Sequence, residues 1–379
     1  MFEQIVSAAG DAAQMFQEVA QQLVASGQLH QLFDLRLLEH RHRLGLPLDL
    51  QVGFDEVPSD ARAELEKAYL DACREVGLLL LKQGKAREAW GYLRPVGEKD
   101  SVREWLAQAV IDQDNADELI ELALCEAIDA QRGFAWLLAQ RGTCNGITEF
   151  DQLAARLSAK DQSACATVLV RHLHDELLRN ICAQLKSQQQ GVSETQSIIQ
   201  IMAEHPDLLA DGAYHIDTSH LATTVRYSRA LTDPKLISLA IELATYGSKL
   251  AKDLQYPDQP PFEDLYRAHL LLLHATTGRD VEQAIDYFRK QADTVSMEYY
   301  GTSAIEAYLI LLSRIGQCDL ALDEYARLVP AGIGLSAHAP TLLQLAQPGG
   351  AWQRYLEICE ERADAVGYAA GLLARNGAE

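Results

Sequence analysis

Apolar residues recur at i, i+3, i+4 and i+7 along almost the whole chain, the period of helices that bury one face. Leu, Ala, Glu, Gln and Arg fill the positions between, and all are strong helix formers. Strand-like alternation is confined to two short pieces, GITEF (146–150) and VRYS (225–228). The pattern predicts an all-α chain. At 379 residues with 48% hydrophobic and 23% charged, there is ample apolar surface for a core.

Helix-stopping residues cluster at GLPLDLQVGFDEVPSD (45–60), RGTCNGITEFD (141–151), HPDLLADGAYHIDTSH (205–220), LQYPDQPPFED (254–264) and LVPAGIGLSAHAP (328–340). Gly, Pro and Asp at such density set turns. The expected division is N-terminal helices over 1–56, a helical region over 57–255 whose repeats fade in the middle, and clearer repeats over 256–379. Three segments share one layout: LLLLKQGKAREAWGYL (78–93), LLLHATTGRDVEQAIDYF (271–288) and ILLSRIGQCDLALDEY (310–325). Each ends an apolar helix, turns at Gly84, Gly278 or Gly316, then brings Ala89, Ala284 or Ala321 and an aromatic, Tyr92, Tyr287 or Tyr325. A fainter copy turns at Gly350. Glycine supplies a tight corner, a small Ala lets two helices approach, and the aromatic fills the gap to the next pair.

These hairpins resemble tetratricopeptide repeats, whose period is about 34 residues. The likeness covers roughly a third of the chain and implies an α-solenoid, a superhelix of antiparallel helix hairpins. Stacked hairpins leave a concave groove that receives a peptide or partner protein. A soluble binding scaffold is therefore the leading expectation, without catalysis and without a cofactor.

Charge narrows the partners. Lys and Arg number 33 against 54 Asp and Glu, a formal charge of −21. Phosphate backbones and anionic membranes demand a basic footprint, so neither a nucleic acid nor a membrane is an expected partner. An acidic groove would favour basic or extended segments. Oligomeric state leaves no mark in the sequence. The N-terminal MFEQIVSAAGDAAQMFQEVAQQLV carries Glu3, Asp11 and Glu18 where a secretory signal needs a basic start and an unbroken apolar run. Phe2, Ile5, Val6, Met15, Phe16, Val19 and Val24 instead fit a helical stripe. No apolar run is long enough to span a bilayer. Seven cysteines, an odd number with no CxxC pair, read as reduced and mostly buried thiols of a cytoplasmic protein.

An alternative reading, from another class, is an enzyme or metal-binding protein on the helical frame. Its site would lie in YHIDTSHLATTVRYSR (214–229), where His215, Asp217 and His220 form H-x-D-x-x-H beside Tyr214 and Arg226. Imidazoles with a carboxylate can ligate a divalent ion or exchange a proton. The same residues also read as a helix start capped by Asp217, Thr218 or Ser219. His172, His174, Asp175 and Glu176 share a helix, with His172 and Glu176 at i, i+4. Cys144 reads as a thiol in a Gly-flanked loop before a helix capped by Thr148 or Asp151. Arg36 and EHRHR (39–43) suit a helix C-terminus or a small anion patch. His269 reads as a core or groove histidine and His274 as a helix cap. Tyr256, Phe262, Tyr266, Tyr299 and Tyr300 are candidates for a binding face. Nucleotide-loop, dinucleotide, nucleophile-elbow and calcium-loop patterns do not occur.

Overall fold

A computed structural model describes residues 5–6, 10–50, 57–191, 196–336 and 338–377. Phe2 of the N-terminal stripe, the acidic Glu3, the stretch 51–56 of the first break, and Ala337 of the last break lie outside the described residues. The described chain is helical throughout, with no strand. It divides into two compact units, Met1–Gln140 and Arg141–Glu379. Neither residue 56 nor residue 255 marks that division.

The first unit carries α1 (Ala12–Ala25), α2 (Leu29–Arg43), α3 (Ser59–Lys82), α4 (Ala86–Val96), α5 (Lys99–Gln108) and α6 (Ala116–Ile120), extended by a π turn over Glu121–Cys125. α2 and α4 both pack on the long α3, and α1 packs on α2. Leu32, Val76, Ala89, Leu93 and Leu106 form the centre of its core.

Helix α7 (Ala130–Ala154) is broken at Gly142, where φ is 78° and ψ is 171°. The expected loop around Cys144 is thus a one-residue break. Cys144, Asn145 and Gly146 are helical, and the Thr148 hydroxyl donates back to the Cys144 carbonyl at 2.9 Å rather than capping a helix. One glycine outside helical φ/ψ is enough to interrupt the hydrogen-bond ladder, and the helix resumes at once.

The second unit continues with α8 (Ala159–Ser187), α9 (Ile198–Glu204), α10 (Thr218–Ser228), α11 (Pro234–Lys249), α12 (Leu265–Thr276), α13 (Val281–Thr294), α14 (Met297–Tyr300), α15 (Ser303–Arg314), α16 (Cys318–Leu328), α17 (Leu342–Ala346), α18 (Trp352–Glu361) and α19 (Ala365–Gly377). α10 and α11 pack on α8, and α12 packs on α11, around Leu173, Leu177, Leu221, Leu243 and Tyr246. A second core, centred on Phe288, Tyr308, Leu312 and Leu322, unites α12 to α18.

The corners take the form their sequence demands. At Gly84, Gly278, Gly316 and Gly350 φ is 79°, 80°, 75° and 64°. Each glycine N–H donates three residues back and the following N–H five back, as from Gly84 to Leu81 (3.0 Å) and Lys85 to Leu80 (3.1 Å). That pairing satisfies the last carbonyls of the first helix and needs a residue at positive φ. Gly27 builds the same corner between α1 and α2, with Gln28 donating to Leu23 at 2.9 Å. Ala89, Ala284 and Ala321 are each fully buried where the second helix meets the first. Among the described residues no helix is long and apolar enough to cross a membrane.

Candidate functional site

The residues of H-x-D-x-x-H do not converge. The His215 N–H donates to the Tyr246 hydroxyl at 2.8 Å, and the same hydroxyl lies 2.9 Å from Nδ1. Asn180 donates to the His215 carbonyl at 2.8 Å. His215 is 8% exposed, and burial pulls its pKa below the usual histidine value. Asp217 caps α10, accepting from the N–H groups of Ser219 (2.8 Å) and His220 (3.1 Å) and from the Ser219 hydroxyl (2.5 Å). These bonds to its charged form, that of the Ser219 hydroxyl first, lower its pKa. His215 therefore serves the core and Asp217 the helix start. No three His, Cys, Asp or Glu side chains among the described residues gather as a metal set.

The other candidates scatter. His172 Nε2 lies 2.8 Å from the Thr143 hydroxyl and 3.7 Å from Glu176. His174 is buried against Glu242 at 3.0 Å, and Glu242 also accepts the Ile198 N–H, so this pair fixes the start of α9. Arg36 grips Glu75 with two bonds of 2.8 Å, and Arg41 is buried on the Pro47 and Asp49 carbonyls, so the EHRHR cluster serves local structure. His274 meets Asp280 at 2.9 Å. Cys125 and Cys144 are exposed while the other five cysteines are buried. Tyr214, Tyr256, Tyr299 and Tyr300 stand exposed, whereas Tyr266 is in the core.

A different place in the second unit has the form of a site. A cavity of about 700 Å³ opens between the start of α8, the end of α10, the 258–262 turn, α15, Ser336 and His338. One wall is apolar: Phe262, Leu272, Ala307 and Ile310, with Pro260 and Pro261, whose connecting peptide is cis. Hydrogen bonds fix the rim. The Tyr287 hydroxyl donates to the Pro261 carbonyl at 2.8 Å and the Ser303 hydroxyl to that of Pro260 at 3.1 Å. Glu306 accepts from the Thr302 hydroxyl (2.6 Å), the Ser336 N–H (2.8 Å) and the Ser336 hydroxyl (2.5 Å), tying Ser336 to α15. His338 reaches the Gln162 amide of α8 at 3.1 Å.

The charges in this cavity are unevenly matched. Asp258 holds Arg226, the α10 candidate, at 3.0 Å. The Arg229 side chain, three residues further on, has among the described residues no hydrogen bond and no carboxylate within ion-pair distance. Its guanidinium stands 5.4 Å over the Phe262 ring. Arg314, at the end of α15, keeps Nη1 buried with no hydrogen-bond partner. Desolvation lowers the pKa of both arginines, although Arg229 is open to the water in the cavity. A guanidinium stays protonated regardless, so the cavity holds two arginines that no carboxylate among the described residues pairs directly, although Asp258 stands close enough to act on Arg229. Behind Phe262 lies the fully buried His269, ring centroids 4.4 Å apart, with Nδ1 donating to the Leu265 carbonyl at 2.7 Å. Burial drops its pKa to about 4.

The sequence points to Arg226, Phe262 and His269 as candidates but singles out neither Arg229 nor Arg314. Each of these two is a cation at a helix end, where the helix dipole is reason enough for it. Comparison of the chain with protein-family models, curated proteins and solved structures gave no match.

Proposed function

We propose that this chain is a binding scaffold of the tetratricopeptide-like kind, and that the cavity of the second unit is where it holds a short segment of a partner protein. The observation that carries this reading is the cavity itself, about 700 Å³ with an apolar wall and a hydrogen-bonded polar rim. Volumes of that order suit a compact ligand. The hairpin corners at Gly278, Gly316 and Gly350 favour a superhelix of antiparallel hairpins over 256–379, which the repeat likeness also implies. Binding is favoured over chemistry because His215, His174 and Asp217 are engaged in core bonds and a helix cap.

Selection of displayed random peptides on the full chain tests this. Recovered peptides should bind the native chain and fail on Ile310→Trp, which fills the cavity from its wall. Failure to enrich any peptide, or equal binding to both chains, would contradict the reading.

A further inference from the structure

A chain of net charge −21 would be expected to attract basic partners. The cavity reverses that expectation locally. Its lining includes three cations, Lys160, Arg229 and Arg314, and two carboxylates, Asp258 and Glu306. Both carboxylates are already engaged, Asp258 by Arg226 and Glu306 by Thr302 and Ser336. Arg229 lies over an aromatic face with no carboxylate within ion-pair distance among the described residues, and Arg314 leaves a buried nitrogen without a partner. A guanidinium nitrogen held out of water without a partner, as Arg314 Nη1 is, is costly unless a ligand supplies the counter-charge, and Arg229 opens on the same cavity with its fork free to take one.

We infer that the cavity recognises its ligand by a carboxylate, taken up by Arg229 and Arg314 while an apolar body lies along Phe262, Leu272 and Ile310. A guanidinium offers a planar fork of donors that matches a carboxylate. The Phe262 face beneath Arg229 holds that fork in place and excludes water from one side of it. A phosphate dianion fits less well, because Asp258 and Glu306 border the same space and would repel the second charge. This inference rests on the reading of the cavity as a peptide site only for the source of the carboxylate, which we assign to the C-terminal end of the bound segment. Its last apolar side chain would then fill the wall.

The test uses the full chain and three probes, N-acetyl-leucine, N-acetyl-leucinamide and inorganic phosphate, followed by ligand-observed NMR. N-acetyl-leucine should bind, with the amide and phosphate each weaker by on the order of tenfold or more. Arg229→Gln and Arg314→Gln should each weaken the acid by a similar factor, while Arg279→Gln, outside the cavity, should not. The empty chain gives an independent readout. Arg314→Met removes a half-buried guanidinium with a buried, unpartnered nitrogen and should raise the melting temperature by roughly 2–4 °C. Equal binding of acid and amide, preference for phosphate, no binding at all, or a lower melting temperature for Arg314→Met would each overturn the inference. Amide binding equal to acid would still leave the peptide reading to the display selection. Arg-dependent acid binding with no selectable peptide would keep the carboxylate site and replace the peptide with a free organic acid.

Discussion

The hydroxyl of Tyr246 lies 2.8 Å from the backbone nitrogen of His215 and 2.9 Å from its Nδ1. The phenol oxygen accepts the backbone N–H and pairs with Nδ1, so one buried hydroxyl answers two polar groups of the same residue. His215 is thereby a core residue. Tyr246→Phe leaves a buried backbone N–H unpaired and should cost about 1–3 kcal/mol in urea unfolding. His215→Ala should destabilise the chain as well, whereas His220→Ala, whose side chain is half-buried, should stay within about 0.5 kcal/mol. An unchanged stability for His215→Ala would return that residue to the functional candidates.

Two buried histidines make stability depend on pH in a stated direction. Both are depressed by desolvation, His269 to about 4. As pH falls through 6.5 the unfolded chain takes up protons that the folded chain refuses. Stability is therefore complete above 6.5 and declines toward 4, at up to about 1.4 kcal/mol per pH unit for each histidine. Urea unfolding at pH 7.5, 6.0 and 5.0 should show the decline, and His269→Leu should flatten it by about one proton. An identical slope in the variant would contradict the burial of His269.

Gly247 sits in α11 where a Cβ would fall 2.1 Å from Cε1 of the buried Tyr266. Alanine is the better helix former, so propensity alone gives Gly247→Ala a gain of about 1 kcal/mol. Overpacking against a core ring should outweigh that gain and leave the variant less stable by about 1–3 kcal/mol. A stabilised variant would show that α11 and α12 do not approach this closely.

The hairpin corners invite a paired comparison. Ala284→Leu and Ala321→Leu each push a branched side chain into a fully buried interhelical contact, at a cost of about 1–3 kcal/mol. Gly278→Ala meets no atom within 4 Å, so its penalty is conformational alone, about 1–2 kcal/mol for a φ of 80°. Thermal unfolding of the three variants separates packing from backbone strain.

Helical periodicity and glycine spacing make the helices, the corners at Gly84, Gly278 and Gly316, and the buried alanines legible in the sequence, because each is a local consequence of a few neighbouring residues. The Gly27 corner is equally local but lacks the Ala and aromatic that mark the others. Asp217 is legible as a cap for the same reason of locality. The cavity is not legible. Arg229, Phe262 and Arg314 are far apart in sequence, and what makes the two arginines notable is how little of the protein answers their charge in space. Net charge points the other way, since it averages over a surface and says nothing of a single concavity.

The most direct measurement is a crystal structure of the full chain grown with N-acetyl-leucine. The expected result is a carboxylate within about 3 Å of the Arg229 or Arg314 guanidinium, with the leucine side chain on the Phe262 and Ile310 wall. A cavity closed by its own side chains, or a ligand seated elsewhere while both arginines stay unpaired, would contradict the assignment of this cavity as the binding site.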